Sequence, residues 1–382
     1  MSTVLKHIKI DKEKLSELFS IQCSDSTVGT EWSFHQLSPY IGKIKSSIAR
    51  FLIENFTKPG AYICDPFCGA GTIPLEAWSL NRNIIANDLN KYAHVLTLAK
   101  LFPPNSLETV LTDIEKYDKI VQRNKQNVDL RKVPRWVREF FHKETLRETI
   151  AWFEILQNND SNFLLACILG ILHHQRPGFL SFPSSHTVPY LRKKSFPQNM
   201  YPQLYQYRSV KDRLIKKANR AFKRTPKLNE SIERTCYIED ARNMNFKGLQ
   251  VDAIVSSPPY MRKLDYARDN RLRLWFLGIN DSKKMDVIIS PKENDFIAMM
   301  RECLINWKEV LKKNGKCILF LGDNYSKKYK MNLPEVIEQI AITEIKGYKL
   351  VFKHMSIIPK NRRVRRNLKG NISETILVFE KV

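Results

Sequence analysis

Asp65-Pro66-Phe67-Cys68-Gly69-Ala70-Gly71-Thr72 is the stretch whose reading decides the fold. The residues before it, 61–65 (Ala-Tyr-Ile-Cys-Asp), form a short apolar run that predicts a buried strand, and Ile73 to Leu80 after it reads as a helix. Asn83 to Asn87 predicts a second strand, which ends at Asp88, and Leu89 to about Leu101 has helical character. Strand, glycine turn, helix, strand and acid make half of a nucleotide-binding α/β sheet. The turn lacks the third glycine of the dinucleotide fingerprint, so phosphate binding is not what it suggests. Two glycines still let a ligand lie directly on the backbone. Asp88, 23 residues after Asp65, is placed to accept both hydroxyls of a ribose. The implied ligand is a nucleoside without phosphates; the competing reading is a glycine turn feeding an ordinary helix.

Further along, the alternation stops. Residues 105–234 look helical, basic and broken by prolines, and strands resume at Val251 to Val255. A helix is expected near 293–312, a strand from Lys316 to Leu321, a helix near 334–345, and two last strands around 348–358 and 373–381. We therefore expect one α/β domain, 1–104 with 235–382, interrupted by an inserted helical module at 105–234. The fold class expected is a Rossmann-like sheet with helices on both faces and an antiparallel C-terminal strand pair.

The loop Ser256-Ser257-Pro258-Pro259-Tyr260 follows the strand that ends at Val255, where a parallel sheet presents its ligand crevice. Pro-Pro fixes two φ angles and removes two N–H donors, which leaves a stiff loop with outward carbonyls. An exocyclic amine on a nucleobase is a poor nucleophile because its lone pair is delocalised into the ring. The Ser257 hydroxyl and the Pro258 carbonyl, accepting its two hydrogens, would draw the nitrogen toward sp³, and Tyr260 would stack on the base. Taken alone the loop also reads as a proline-rich turn with a surface tyrosine.

Together these segments resemble the class I S-adenosylmethionine-dependent DNA amino-methyltransferases. Asp65 to Thr72 looks like their cofactor signature, and Trp32-Ser-Phe-His-Gln-Leu-Ser-Pro-Tyr-Ile-Gly-Lys43 is similar to the H-x-x-x-P-Y-x-x-K element that precedes it. The resemblance implies a cofactor site of Phe34, Pro39, Tyr40, Asp65, Pro66, Phe67, Gly69, Gly71, Thr72, Asp88, Asp240 and Ser256, with Asp240 at the adenine amine and a π-rich face from Phe34 and Pro39-Tyr40 for the sulfonium. It implies catalysis by Ser257, Pro258, Pro259 and Tyr260, with no metal. The serine form of the loop is characteristic of cytosine-N4 methylation, though some adenine-N6 enzymes carry it. Met261 to Gly278 and Phe163 to Tyr190 also look like family segments, whereas the first 30 residues and 105–158 match nothing. C5 methylation is disfavoured, since the chain has no Pro-Cys dipeptide.

Charge points to the substrate. Lys and Arg number 63 against 39 acids, a formal net charge of +24 over 382 residues. Between Arg192 and Lys227 lie twelve basic residues and one acid. Arg192, Lys193, Lys194, Arg208, Lys211, Lys216, Lys217, Arg220, Lys223 and Arg224 are the expected phosphate contacts there. Ser209-Val-Lys-Asp212 reads as a capping box, and Val210, Leu214, Ala218, Ala221 and Phe222 form one apolar stripe opposite the bases. Arg362, Arg363, Arg365 and Arg366 belong to a second acid-free run, 353–369, read as a hairpin loop over the crevice. Such runs also occur as plain solvated faces. Phosphate contacts position a protein without specifying sequence, and a base inside a duplex must flip out to reach Ser257.

The expected function is thus site-specific cytosine-N4 methylation of double-stranded DNA with S-adenosylmethionine, within a restriction-modification system that can include a separate endonuclease. Adenine-N6 methylation of DNA, guanine-N2 methylation of tRNA and a non-catalytic nucleic-acid binder remain the alternatives. The longest apolar run, Phe163 to Leu172, is too short to span a membrane, the N-terminus shows no secretory signal, and seven cysteines without a C-x-x-C pair fit a reduced, cytoplasmic protein without zinc.

Overall fold

A computed structural model describes residues 11–23, 29–174, 178–185, 188–246, 248–259, 266–280, 292–358 and 372–382. Its centre is a seven-stranded sheet built from β1 (Tyr62–Asp65), β2 (Asn83–Asn87), β3 (Arg234–Tyr237), β4 (Val251–Ser256), β5 (Leu311–Gly322), β6 (Tyr348–Ile357) and β7 (Ser373–Lys381). The spatial order is β3-β2-β1-β4-β5-β7-β6. Neighbours from β3 through β5 run parallel, while β7 lies antiparallel between β5 and β6. The chain winds outward through β1, β2 and β3, then returns to place β4 beside β1. That reversal opens a crevice at the carboxyl ends of β1 and β4, where open α/β sheets bind ligands.

Side-chain alternation builds a core on each face. In β5, Ile318 and Phe320 join one core, and Cys317, Leu319 and Leu321 the other; in β7, Ile376 and Val378 part from Leu377 and Phe379 in the same way. The second core is closed by α10 (Glu293–Val310) and α11 (Leu333–Gln339), through Met300, Leu304, Trp307 and Ile337. Asn332 and Glu335 form a capping box that starts α11.

The first core is thicker. It receives α1 (Lys12–Cys23), α2 (Ser46–Phe56), α3 (Thr72–Ser79) and α4 (Lys91–Leu101). The same core takes in α5 (Leu107–Asn124), α6 (Lys143–Asn158), α7 (Asn162–Ile171) and α8 (Val210–Ala221), through residues such as Ile114, Trp152, Leu165 and Leu214. The helices of 105–234 therefore share an apolar interior with the sheet. Gly170 of α7 shows how tight the join is: a Cβ there would lie 2.0 Å from the Leu37 carbonyl oxygen. In α8, Ser209 accepts from the Asp212 N–H at 3.2 Å, and Val210, Leu214, Ala218 and Ala221 are buried, with Phe222 half-buried beside them.

Strand β3 is an addition to the sequence reading. Arg-Thr-Cys-Tyr is short, begins with a charge and sits at the sheet edge, so it carries no apolar run. α9 is the short helix Arg271–Phe276.

Candidate active site

The turn that leaves β1 is held by backbone geometry. Cys68 N–H donates to the Asn87 carbonyl at 2.9 Å, and Gly71 N–H to the Cys68 carbonyl at 2.7 Å. Gly69 and Gly71 take φ of +51° and +70°, the left-handed region that favours glycine. Their roles differ. A Cβ on Gly69 would meet the Tyr40 ring at 3.3 Å, so this glycine lets the aromatic close over the turn; a Cβ on Gly71 would meet Thr97 Oγ1 at 2.8 Å, so that one lets α3 approach α4. Beneath the turn, the buried Lys100 donates to the Ala70 carbonyl.

Around it lies an open crevice whose empty space, solvent included, is about 860 Å³. Asp65, Asp88, Glu239 and Asp240 supply carboxylates to its wall, and Lys43 and Arg242 supply cations. Asp88 accepts from Gly69 N–H at 2.9 Å and Asn90 N–H at 2.8 Å. Burial nevertheless pushes its carboxyl up to about 6. Asp65 is pushed up to about 8 by burial, against the opposing pull of the Ser256 hydroxyl (2.6 Å) and the Phe67 N–H (3.3 Å). Asp240 is pulled below its ordinary value by Arg242, whose guanidinium reaches it at 2.6–3.0 Å.

Tyr40, Tyr92 and Tyr266 form an aromatic row, with ring centroids 5.7 and 6.1 Å apart. The Tyr92 hydroxyl donates to the Pro39 carbonyl at 2.5 Å and contacts Ser38 Oγ at 2.6 Å, which fixes the arm carrying Tyr40. Lys43 Nζ closes the arm onto its own start by donating to the His35 carbonyl at 2.9 Å. Burial holds His35 below its ordinary value, so its neutral ring donates Nε2–H to Glu76 at 2.7 Å, and Glu76 also pairs with Arg50.

The structure brings together Tyr40, Asp65, Pro66, Phe67, Gly69, Thr72, Asp88, Asp240, Ser257 and Pro259 at this crevice. Four expected cofactor residues stand behind the wall. Phe34 is 2% exposed and packs edge-on against Phe163 and Phe222, at 5.8 and 5.6 Å, so it is a core residue rather than a sulfonium face. Pro39 takes part through its carbonyl, Gly71 through helix packing, and Ser256 through Asp65. Pro258 is buried, and Ser257 Oγ donates to the Phe320 carbonyl at 3.3 Å. Tyr260 lies outside the described residues. Lys43, Glu239 and Tyr266 also line the crevice; Lys43 enters the sequence reading only as the last residue of the H-x-x-x-P-Y-x-x-K element, the match of 261–278 to a family segment points near Tyr266, and Glu239 carries no signal.

The basic residues divide likewise. Lys193, Lys194, Lys216, Arg220, Lys223 and Arg224 are exposed, and Arg192 is half-buried over the Phe196 ring. Arg208 is a correction: it is 6% exposed, and its guanidinium is committed to the Phe179, Ser181 and Leu204 carbonyls. Lys211 pairs with Glu115 and Asp118, and Lys217 donates to the Gln36 carbonyl. These ties draw both away from a free phosphate-binding role. The main chains of Ser33 and Arg224 join at 2.8 Å, so the end of α8 abuts the arm of the crevice. Arg362, Arg363, Arg365 and Arg366 lie outside the described residues. Among the described residues no three His, Cys, Asp or Glu side chains gather as a metal site, and no helix is long and apolar enough to cross a membrane.

The residues fit a nucleoside carrying a positively charged amino acid. Carboxylates in the wall would take its hydroxyls and cationic groups, and two buried donors, Thr72 Oγ1 and Asn90 Nδ2, line the crevice with no partner among the described residues. The sheet order and the crevice at its switch point define a class I methyltransferase fold. The chain belongs to the DNA methylase family, whose model matches residues 7–99 and 251–382; the match begins within the first 30 residues, where no likeness was expected, and leaves out Phe163 to Tyr190. It is similar to the type II methyltransferase M.BsoBI of Geobacillus stearothermophilus, at 24% identity over 314 residues. That match covers 73% of this chain but only 60% of the relative, so the chain spans about three fifths of the relative's length. Among solved structures it is similar to TrmN from Thermus thermophilus (13% identity, TM-score 0.37, 91% of this chain and 52% of that one). Another is a putative RNA methyltransferase, PH1948, from Pyrococcus horikoshii (11% identity, TM-score 0.36, 97% and 96%).

Proposed function

We propose that the chain transfers a methyl group from S-adenosylmethionine to the exocyclic N4 amine of cytosine in double-stranded DNA. The observation that carries this reading is the meeting of Ser257 and Pro259 with Asp65, Asp88 and Gly69 around one crevice. The cofactor, when bound, supplies an electrophilic methyl group. Asp88 holds the ribose hydroxyls, Gly69 admits the nucleoside against the backbone, and Tyr40 covers the turn. Ser257 Oγ and the Pro258 carbonyl accept the two amine hydrogens, aiming the nitrogen lone pair; Tyr260 stacks on the base. No nucleophilic side chain is needed, because positioning supplies most of the rate.

The exposed basic residues of 192–224 grip phosphates, and 105–234 is the DNA-contacting module of a catalytic domain formed by 1–104 and 235–382. The basic run 353–369 adds phosphate contacts, and the target base flips into the crevice at Ser257 and Pro259. The relative's name, a type II methyltransferase, supports a place in a restriction-modification system; a cytoplasmic location and a separate endonuclease complete the proposal. Substitution tests the roles: Ser257→Ala or Tyr260→Ala loses methyl transfer by orders of magnitude, with cofactor affinity held within a few-fold. Unchanged turnover in both variants would remove the assignment.

A further inference from the structure

Seven cysteines are free, and six of them are buried; Cys236 alone is half-exposed. It sits on the edge strand β3, in register with Ala86 of β2. Cys68, in the turn, has its N–H on the carbonyl of Asn87, the last residue of β2. Both cysteines are thus gathered over the carboxyl end of the same strand, and their sulfurs stand against one face of α4, Cys236 at His94 and Cys68 at Thr97, three residues apart. His94 of α4 stands beside them: its Nδ1 lies 3.4 Å from Cys236 Sγ and 3.0 Å from the Tyr237 carbonyl. Cys68 Sγ lies 3.2 Å from Thr97 Oγ1, and the Asp88 carboxyl is the nearby acid.

The chemistry of the two sulfurs is complementary. The Cys68 and His94 contacts bring Cys236 down to about 6, against the opposing effects of burial and the Asp88 charge. Burial pushes Cys68 well above the ordinary thiol value. Burial also pushes Cys23 and Cys167 up, to about 11 and about 12, and raises Cys64, Cys303 and Cys317, which leaves Cys236 the most acidic of these thiols.

We propose that Cys236 and Cys68 form an oxidation site for peroxides, closing to a disulfide that ties the cofactor turn to β3. The Cys236 thiolate attacks one peroxide oxygen; the O–O bond breaks, the second oxygen leaves as water or an alcohol after taking up a proton, and Cys236 becomes a sulfenic acid. Cys68 then attacks that sulfur, an S–S bond forms, and the hydroxyl leaves with the Cys68 proton as water. Two electrons pass from the two thiols to one peroxide. Because Cys68 lines the crevice and the next residue holds Asp88, the bond pulls the turn away from the ribose contact. That consequence rests on the cofactor reading; the bond itself does not.

The test treats the whole 382-residue chain with hydrogen peroxide and follows it by intact mass and non-reducing peptide mapping. The expected result is a loss of two hydrogen atoms, a Cys68–Cys236 cross-linked peptide, reversal by dithiothreitol, and neither product in Cys236→Ser. Oxidation confined to other cysteines, or arrest at sulfinic and sulfonic adducts without the cross-link, overturns the proposal. Titration of oxidised and re-reduced protein with S-adenosylmethionine tests the consequence: affinity falls about tenfold or more on oxidation and returns on reduction. A cross-link that leaves affinity unchanged overturns the coupling to the turn. A reduced protein that binds no S-adenosylmethionine instead overturns the cofactor reading, with the mapped bond unaffected.

Discussion

Ser256 donates its hydroxyl proton to Asp65 at 2.6 Å, which joins the last residue of β4 to the last residue of β1 at the point where the sheet reverses its order. Burial of the carboxyls at this point gives cofactor binding a pH dependence, which the Ser256 bond moderates at Asp65. Asp65 and Asp88 are raised to about 8 and about 6, so the ligand-free crevice holds protons that a cationic ligand must displace. Affinity for S-adenosylmethionine therefore rises from pH 6 toward about 8, with proton release measured by calorimetry in buffers of different ionisation heat. In Ser256→Ala the Asp65 titration moves higher still. The ligand's own amine titrates identically with both proteins, so the difference between them reports Asp65. Identical pH profiles would contradict the coupling. The sign for folding is the opposite: a carboxyl raised in the folded state stabilises it fully below the ordinary value of 3.8, and this contribution is lost as pH rises through about 8.

Gly71→Ala and Gly170→Ala separate two kinds of close approach. At Gly71 the new Cβ meets Thr97 with φ at +70°, and thermal unfolding is expected to show a loss of about 1–3 kcal/mol. At Gly170 it strikes the Leu37 carbonyl, which displaces the arm that carries Tyr40, so a rise in cofactor Kd accompanies the loss of stability. Unchanged cofactor affinity in Gly170→Ala would show that α7 does not set the arm.

Arg208 and Lys216 share one basic run but differ in burial. Arg208→Met leaves three main-chain carbonyls without their donor and is expected to cost about 2–4 kcal/mol in chemical denaturation. Lys216→Ala or Arg220→Ala leaves stability within about 0.5 kcal/mol and lowers the slope of log affinity for DNA against log salt by about 1. A full-strength salt slope in both exposed variants would move the phosphate face elsewhere.

The parts of this fold that carry local signals were legible before any coordinates. β2 falls at Asn83–Asn87, as its apolar run predicts, and the Ser209 cap and apolar stripe of α8 stand where their spacing places them. Long-range packing left no such trace. Phe34 looks like a ligand-facing aromatic in sequence, but its neighbours Phe163 and Phe222 come from distant helices. Gly71 resembles Gly69 in the turn, and only the position of α4 divides their roles. Arg208 reads as one more base in a run until the fold wraps three carbonyls around it. Edge strand β3 is too short and too polar to announce itself, and Cys236 with it.

The central claim is the identity of the methylated atom. Double-stranded DNA and tRNA are incubated separately with the protein and isotope-labelled S-adenosylmethionine, digested to nucleosides and resolved by mass spectrometry. N4-methylcytosine from DNA is expected to carry the label, and Ser257→Ala to lose it. Label in N6-methyladenine from DNA, in N2-methylguanosine from tRNA, or in neither nucleic acid would contradict that claim.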